Sequence, residues 1–214
     1  MKLAVFGGTA GVGLEVVQQA LEAGHSVNVL ARSPEKLSHL LPADGKLTII
    51  TGDVLKDFDA VKHTVEGADA VIVSLGNRPV ADTEMQGKTC SIGQEKINEA
   101  MIATGVKRVL VVTSMGVGDS IKDVTYMASV FITTVLAKAI ADKEIQEASV
   151  RSSGLDYTIL RPTGLASKPK TGGKYLFAEH IYGPTIARAD VAEICLKMIS
   201  SAEYVGRTFG CVGA

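Results

Sequence analysis

Short apolar runs alternate along this chain with stretches in which apolar residues recur at helical spacing. The apolar runs predict strands at residues 3–6, 26–31, 47–51, 70–74, 108–113 and 157–160. The intervening stretches predict helices at residues 11–23, 34–41, 57–65, 87–104 and 135–152, followed by a last helix at 189–199 and a closing strand at 207–211. This alternation is typical of an α/β fold, a Rossmann-like, doubly wound parallel β-sheet with helices on both faces.

Glycines mark the ends of the predicted helices. Gly24, Gly67, Gly105 and Gly154 each follow a helix and stand shortly before the next strand, which is where helix-ending glycines belong. The 214 residues contain no long linker or low-complexity tract, so we expect a single domain over residues 1–214. The pattern loosens in a Pro/Gly-rich stretch, and we expect residues 161–188 to form a small variable segment on the substrate side.

A glycine-rich loop joins the first predicted strand to the first predicted helix. Gly7, Gly11 and Gly13 stand in it, which is not the register of G-x-G-x-x-G, and no Gly-Lys-Ser/Thr is present to make a P-loop. A buried strand, a turn without side chains and a helix N-terminus together favour binding of a nucleotide diphosphate. The alternative is a tight turn that holds no ligand.

Composition narrows the class of partner. Lys and Arg number 22 against 23 for Asp and Glu, so no overall charge favours nucleic acid or an anionic membrane. The apolar runs are too short to span a bilayer, and the first residues do not resemble a secretory signal. Cys90, Cys195 and Cys211 lack metal-site or C-x-x-C spacing, so we expect inert thiols, no metal site and a cytoplasmic location.

The end of the second strand distinguishes the two nicotinamide dinucleotides. An acidic residue there binds the ribose hydroxyls of NAD, whereas a cation binds the 2′-phosphate of NADP. This chain has Arg32, with Ser33 next to it and Lys36 one helical turn on, so three donors can converge on one phosphate. The pattern favours NADPH. The alternative is a solvated arginine with Glu35 as its neighbour.

Polar or small residues follow the next three strands. Asp53 could accept a hydrogen bond from adenine with Val54 against the ring, or it could cap the next helix instead. We expect residues 75–78 to form a small-residue turn at the point where the strand order reverses. Ser114 is the best single candidate for a nicotinamide or substrate contact, although it could equally satisfy a backbone group at the strand end.

One catalytic pair is incomplete. Alcohol-oxidising short-chain dehydrogenases use Tyr-x-x-x-Lys, in which the lysine lowers the pKa of the phenol. Tyr126 stands near the expected place, but Val130 occupies the lysine position. Alcohol dehydrogenation and sugar epimerisation are therefore not expected.

Several blocks together carry a family resemblance. They are the glycine loop, Arg32, Gly52-Asp53-Val54, residues 75–78, Thr113-Ser114, Asp142-Lys143 and the run Ser-Gly-Leu-Asp-Tyr-Thr-Ile-Leu-Arg-Pro at 153–162. The chain resembles the atypical short-chain dehydrogenases/reductases of the NAD(P)H-binding group, and within it the biliverdin-IXβ reductase/flavin reductase type.

The resemblance implies a set of site residues. Ser114 and Lys143 would be the catalytic candidates, although their positions assign neither a proton-transfer role. Two departures are Ala10, where a middle glycine is frequent, and Thr163, where the mammalian reductase has a histidine. The residues implied to bind NADP(H) are Gly7, Thr9, Ala10, Gly11, Val12, Gly13, Arg32, Ser33, Lys36, Asp53, Val54, Leu75, Gly76, Asn77, Arg78, Thr113, Ser114, Lys143, Pro162, Thr163 and Gly164.

The implied function is NADPH-dependent reduction of a flavin, a biliverdin-like tetrapyrrole or a similar planar acceptor by a monomer or weak homo-oligomer. Water could supply the proton, so a pocket that only stacks the acceptor would suffice. Candidate walls are Met127, Tyr175, Phe177 and Tyr182, with core packing favoured for Phe177 and a surface position for His180. The alternatives are a non-catalytic, NmrA-like NADP(H) sensor and an assembly factor that uses the fold as a scaffold.

Overall fold

The structure is a computed structural model that describes residues 1–41, 44–76 and 87–214. Its strands are β1 (Lys2–Phe6), β2 (Ser26–Ala31), β3 (Leu47–Thr51), β4 (Ala70–Val73), β5 (Arg108–Val112), β6 (Asp156–Pro162), β7 (Leu165–Ala166), β8 (Tyr175–Ala178), β9 (Ile186–Ala187) and β10 (Arg207–Gly213). Its α-helices are α1 (Gly11–Glu22), α2 (Phe58–Val65), α3 (Thr89–Thr104), α4 (Tyr126–Thr134), α5 (Ala137–Ser152) and α6 (Arg188–Ile199). Short 3₁₀ helices lie at Pro34–Leu40, Gly118–Lys122 and Ala202–Tyr204.

The main sheet has the order β3-β2-β1-β4-β5-β6-β10-β8, and β8 alone of these strands runs antiparallel to its neighbour. Phe6 at the end of β1 is level with Leu30 of β2 and with Val73 of β4. The carboxyl ends of the central strands therefore form one edge of the sheet. The strand order runs outward in one direction from β1 to β3 and in the other direction from β4 to β6, so it reverses between β1 and β4. This arrangement confirms the predicted Rossmann-like fold.

Successive residues of β1 face opposite sides of the sheet, as the two-residue period of a strand requires. Leu3 and Val5 belong to a buried cluster with α1 and α6, whereas Ala4 and Phe6 belong to a second cluster with α2, α3 and α5. Because both faces are covered, the central strands β1, β4 and β5 are apolar except at the first residues of β1 and β5. That burial produces the continuous apolar runs visible in the sequence.

The six predicted main strands and the closing strand are all present, with ends that differ by at most two residues. The helix-ending glycines behave as expected: Gly24, Gly67, Gly105 and Gly154 have φ between 67° and 82°. This left-handed conformation has no Cβ penalty in glycine.

Three local features differ from the prediction. The helix predicted at residues 34–41 is a 3₁₀ helix that ends at residue 40, with a proline in its first turn. A helix not foreseen, α4, precedes α5, and in α4 only Ile132 is buried, so its sequence lacks a helical apolar stripe. The Pro/Gly-rich segment also contains strands, since β7 pairs with β9 in a small separate sheet and β8 extends the main one.

Among the residues that the structure describes, none of the helices combines the length and the apolar character needed to cross a bilayer.

Candidate functional site: a nucleotide cleft

A cleft of about 660 Å³ opens at the carboxyl edge of the sheet, within the size range of small-molecule sites. It lies where the strand order reverses, which is where open α/β sheets bind ligands. The residues that line it come from the ends of β1 to β5, from the starts of α1, α3 and α6, from α5 and from β7. They are Phe6, Gly7, Thr9, Ala10, Gly11, Val12, Leu30, Ala31, Arg32, Ser33, Lys36, Gly52, Asp53, Val54, Leu55, Ser74, Leu75, Gly76, Thr89, Val112, Thr113, Ser114, Lys143, Leu165 and Arg188.

The glycine loop fits closely between two strands and a helix. Gly7 has φ of 83°, and a Cβ at this position would collide with the carbonyl oxygen of Ser74 at the end of β4. A Cβ on Gly13 would collide with the carbonyl oxygen of Gly7. Gly13 does not line the cleft; it lets α1 begin directly against the loop, the role of a helix-packing glycine.

The N-terminus of α1 has the features of an anion site. Its N-cap residue is Ala10, whose side chain cannot accept a hydrogen bond, and its first turn has no acidic residue. The first backbone N–H groups of a helix have no partner within the helix and carry a partial positive charge. Because the loop also leaves room for a ligand beside these groups, the residues present fit a diphosphate.

Arg32, Ser33 and Lys36 all line the end of the cleft beyond β2. Arg32 Nη1 lies 3.9 Å from Asp53 Oδ2, and both side chains are partly exposed. An exposed ion pair of this length contributes little to stability, so the guanidinium is available to another anion. The structure thus brings together the three predicted 2′-phosphate donors, whose role stays a prediction.

Asp53 does not cap the next helix. Asp53 Oδ1 accepts a hydrogen bond of 2.9 Å from the backbone N–H of Leu55, within its own turn. The N-cap of α2 is Asp57, whose Oδ1 accepts a 3.0 Å bond from the N–H of Ala60. The capping alternative for Asp53 is therefore wrong, and its carboxylate lies in the cleft beside Val54.

The two candidate catalytic side chains line the cleft but make no direct pair. Ser114 Oγ donates to the carbonyl oxygen of Met115 at 3.1 Å, and Lys143 Nζ donates to the carbonyl oxygen of Leu75 at 3.4 Å. The Ser114 bond agrees with the alternative in which this hydroxyl satisfies a backbone group at the strand end. Tyr126 does not line the cleft and is 81% exposed on α4.

A buried polar network lies beneath Ser114. Arg161 Nε and Nη2 donate to the two carboxylate oxygens of Glu147 at 2.9 and 2.7 Å, and Nη1 donates to Asp119 at 2.6 Å. Thr113 Oγ1 donates to Glu147 at 2.7 Å. Burial disfavours the charged guanidinium, but its carboxylate partners outweigh this effect and raise the pKa of Arg161. This network fixes the end of β5, and neither its arginine nor its glutamate was predicted as a site residue.

Asp142 joins two elements at the opposite wall. Its carboxylate accepts hydrogen bonds from the backbone N–H groups of Cys90 and Ser91, at 2.8 and 3.0 Å, at the start of α3. A residue of α5 therefore satisfies the N-terminus of α3, which α3 cannot do with its own N-cap, Lys88. The adjacent Lys143 is thereby held at the cleft.

Some predicted binding residues do not reach the cleft. Pro162, Thr163 and Gly164 are not among its lining residues, and Thr163 Oγ1 donates to the carbonyl oxygen of Pro184 at 2.7 Å. Thr163 therefore serves the junction of β6 with the segment before β9. Asn77 and Arg78 lie outside the described residues.

The predicted acceptor walls lie elsewhere. Phe177 makes edge contacts with Tyr204 and Phe209, with ring centroids 6.1 and 6.0 Å apart, so core packing is its role. Tyr175, Tyr182 and Met127 do not line the cleft either. His180 is at the surface, 3.3 Å from Asp123 Oδ2, as its surface reading expects.

Arg188 and Leu165 are two lining residues that the sequence did not reveal. Both belong to the segment after β6, which returns to the cleft through β7, β9 and the start of α6. A basic residue at the first position of α6 was the available signal. A basic residue at the start of a helix does not by itself indicate a binding site. Its role becomes visible only because the topology places α6 beside α1.

Comparisons with known proteins agree with this geometry. A family model described as NAD(P)H-binding matches residues 7–202. An uncharacterized chloroplastic protein of Arabidopsis thaliana is 29% identical over 209 residues, which are 94% of this chain and 73% of that protein. A protein named sanguinarine reductase, from Eschscholzia californica, is 32% identical over 123 residues, which are 55% of this chain and only 42% of that protein.

Solved structures share the whole fold at low sequence identity. ChuY of Escherichia coli O157:H7, described as an anaerobillin reductase, superposes with a TM-score of 0.84 at 23% identity and covers 100% of this chain and 97% of its own. A short-chain dehydrogenase/reductase of Veillonella parvula in complex with NADP superposes with a TM-score of 0.79 at 15% identity, covering 99% and 94%.

Proposed function

The chain belongs to the NAD(P)H-binding family, and from this premise we propose that it is an NADPH-dependent reductase that transfers hydride to a flavin, a linear tetrapyrrole or a similar planar acceptor. The family membership confirms a nicotinamide dinucleotide cofactor, and the preference for NADPH over NADH is part of the proposal. The observation that carries the proposal is that one continuous cleft contains both the N-terminus of α1, which has no side-chain cap, and the basic residues Arg32 and Lys36 after β2. A small-molecule substrate accords with a cleft of this size.

Each part of the cofactor has suitable residues in the proposal. The amides of residues 9–12 would bind the diphosphate, and Arg32, Ser33 and Lys36 would bind the 2′-phosphate. Asp53 would accept from the adenine amino group while Val54 packs against the ring. Thr113, Ser114 and Lys143, together with the turn after β4, would lie along the nicotinamide ribose and ring.

NADPH supplies a hydride from its nicotinamide ring when bound. In the proposal Ser114 and Lys143 orient that end of the cleft, and the network of Arg161 and Glu147 keeps the backbone that carries Ser114 in place. An electron-poor conjugated acceptor needs proximity and stacking, and its proton can come from water. The missing Tyr-x-x-x-Lys pair and the outward position of Tyr126 argue against alcohol substrates.

Two names among the similar proteins support the reductase class. One relative is a sanguinarine reductase and one structural neighbour is an anaerobillin reductase. Both are support by similarity, since the first covers about half of this chain and the second shares 23% identity. We therefore propose the reductase class for this chain and leave the preferred acceptor to a panel of compounds.

The experiment is NADPH oxidation by the purified chain with FMN, FAD, biliverdin or sanguinarine, followed through the absorbance of the reduced nicotinamide. We expect turnover above the protein-free mixture with at least one acceptor, and slower turnover when NADH replaces NADPH. The Ser114→Ala variant should lose part of the rate, because that hydroxyl lies at the proposed nicotinamide end. Rates equal to the protein-free mixture with every acceptor would overturn the proposal.

A non-catalytic NADP(H) sensor is the second candidate. The observation that favours it is α4, whose side chains at Tyr126, Met127 and Phe131 are exposed in the chain taken alone. Large exposed apolar side chains mark interaction surfaces in many proteins. A sensor would bind NADP⁺ at least as tightly as NADPH and show no turnover in the same assay, so the two functions give opposite results.

The cysteines support a reducing compartment, and we propose the cytoplasm. All three are free and buried. Burial raises the pKa of the Cys90 thiol to about 11 and also raises the pKa values of Cys195 and Cys211. The reactive thiolate form is therefore scarce at neutral pH, which makes these thiols inert packing groups.

A further inference from the structure

Arg188 brings a positive charge from the last helix to the glycine loop. It is the first residue of α6 and lines the cleft. A Cβ built on Gly11 would lie 3.8 Å from Arg188 Nε and 3.9 Å from Cδ, so the arginine side chain runs next to the first residue of α1. The N-terminus of α1 and Arg188 are thus neighbours along the cleft.

The position of Arg188 is fixed by packing between helices. Helix α6 lies on the same face of the sheet as α1, and both contribute to one buried cluster. Gln19 Nε2 of α1 donates to the carbonyl oxygen of Ala189 at 2.8 Å. This bond holds the first turn of α6 against α1, so the backbone of Arg188 stays close to the glycine loop.

The guanidinium of Arg188 is not neutralised by its neighbours within the described part of the chain. Its Nη1 donates a hydrogen bond to the hydroxyl of Ser167 at 2.8 Å. The nearby carboxylates of α6 have other partners: Asp190 accepts from the N–H and hydroxyl of Thr171, and Glu193 lies 3.3 Å from Lys170 Nζ. A half-buried cation without a carboxylate partner favours an anionic ligand.

We propose that Arg188 binds the diphosphate of the nicotinamide dinucleotide beside the N-terminus of α1. The inference rests on the proposed function, because it requires the dinucleotide in this cleft. The loop amides supply short neutral donors, whereas the planar guanidinium supplies two parallel charged donors that suit phosphate oxygens. Arg188 would hold the half of the cofactor that NADH and NADPH share.

The test compares two arginines by calorimetric titration of NADPH and NADH into the full chain. Arg188→Gln should weaken both dinucleotides by a similar factor, roughly tenfold for a lost charge-assisted contact. Arg32→Gln should weaken NADPH by a similar factor and leave NADH nearly unchanged. Arg188→Lys should recover part of the affinity, since it keeps the charge without the fork.

Ser167→Ala is the matched control. It removes the hydroxyl that accepts a hydrogen bond from Arg188 and leaves the guanidinium in place. We therefore expect the affinity of this variant for both dinucleotides to stay within about twofold of the wild type. Thermal melting of each variant without ligand checks folding. If Arg188→Gln does not fold, Arg188→Lys takes its place. The salt dependence of wild-type binding is then measured as well, and we expect the affinity to fall steeply as the salt concentration rises. Equal loss in Ser167→Ala and Arg188→Gln would assign Arg188 a structural role and overturn the inference.

The remaining outcomes separate this inference from the proposed function. Wild-type protein that binds neither dinucleotide contradicts the proposed function itself. Wild-type protein that binds NADPH, with Arg188→Gln binding it equally well, contradicts only the role of Arg188. Loss confined to NADPH would move Arg188 to the 2′-phosphate and would also overturn the inference.

Discussion

Arg161 makes three charged hydrogen bonds beneath the cleft. It donates to both oxygens of Glu147 and to Asp119, and Glu147 also accepts from the Thr113 hydroxyl and from Arg151. Arg161 and Glu147 are both almost fully buried. Buried charges are tolerated only when paired, so each depends on the other. This buried pair therefore holds the end of β5 in place.

Glu147→Gln should destabilise the protein strongly. The amide keeps the size of the carboxylate but leaves Arg161 as a buried charge with a poorer partner. The expected loss is about 3–5 kcal/mol in the free energy of unfolding, the usual cost of breaking a buried pair. Urea unfolding at neutral pH measures it.

Asp119→Asn is the control for that substitution. The Asp119 side chain is 64% exposed, so its ion pair with Arg161 should contribute under about 1 kcal/mol. The hydrogen bond from Arg161 lowers the pKa of Asp119, so its contribution is present above the unfolded pKa and lost as the pH falls through the folded one. The difference from wild type should therefore shrink below about pH 4. Equal losses for Glu147→Gln and Asp119→Asn at neutral pH would contradict this assignment of the buried pair.

At the scale of elements, burial decides what a sequence can predict. Strands β1, β2, β4 and β5 were foreseen because both faces of the sheet are covered there and each run is mostly apolar. Strands β3 and β6 were foreseen from shorter apolar runs, since Thr48 of β3 is exposed and β6 contains Arg161. Helix α4 was missed because only Ile132 of its nine residues is buried, so no stripe marks it. Strands β7 and β9 have two residues each and exist through their pairing with one another, which local periodicity does not record.

The junction of β1 and α1 gives a prediction at this scale. In Gly13→Ala the new Cβ meets the carbonyl oxygen of Gly7, a rigid backbone atom, so α1 must move away from the loop. We expect a loss of about 1–3 kcal/mol, as for other overpacked sites, together with weaker NADPH binding. Thermal melting and titration measure the two effects.

Gly154→Ala is the matched control for the junction. Gly154 has φ of 75° and open space around its Cβ position, so the substitution costs backbone strain without a collision. It should lower stability by about 1 kcal/mol and leave NADPH affinity unchanged. Parallel losses of affinity in both variants would show that the Gly13 effect is not specific to the loop.

The whole molecule brings together what the sequence shows only in pieces. Arg32, Asp53 and Ser114 could be found from the sequence because each follows a predicted strand, and strand ends meet at one edge. Arg188 and the pair of Glu147 with Arg161 could not be found in this way. Their positions depend on how α5, β6 and α6 return across the sheet, which is a property of the topology rather than of any local pattern.

The central claim is that this cleft binds NADPH and passes its hydride to a planar acceptor. The most direct measurement mixes the protein, without oxygen, with one equivalent each of NADPH and the best acceptor of the panel, and records both absorbances in a stopped-flow instrument. The proposal predicts that reduced nicotinamide and oxidised acceptor disappear together, faster with NADPH than with NADH, and that Arg32→Gln removes this preference. Decay no faster than in the protein-free mixture, with NADPH bound, would contradict the reductase function and favour a sensor.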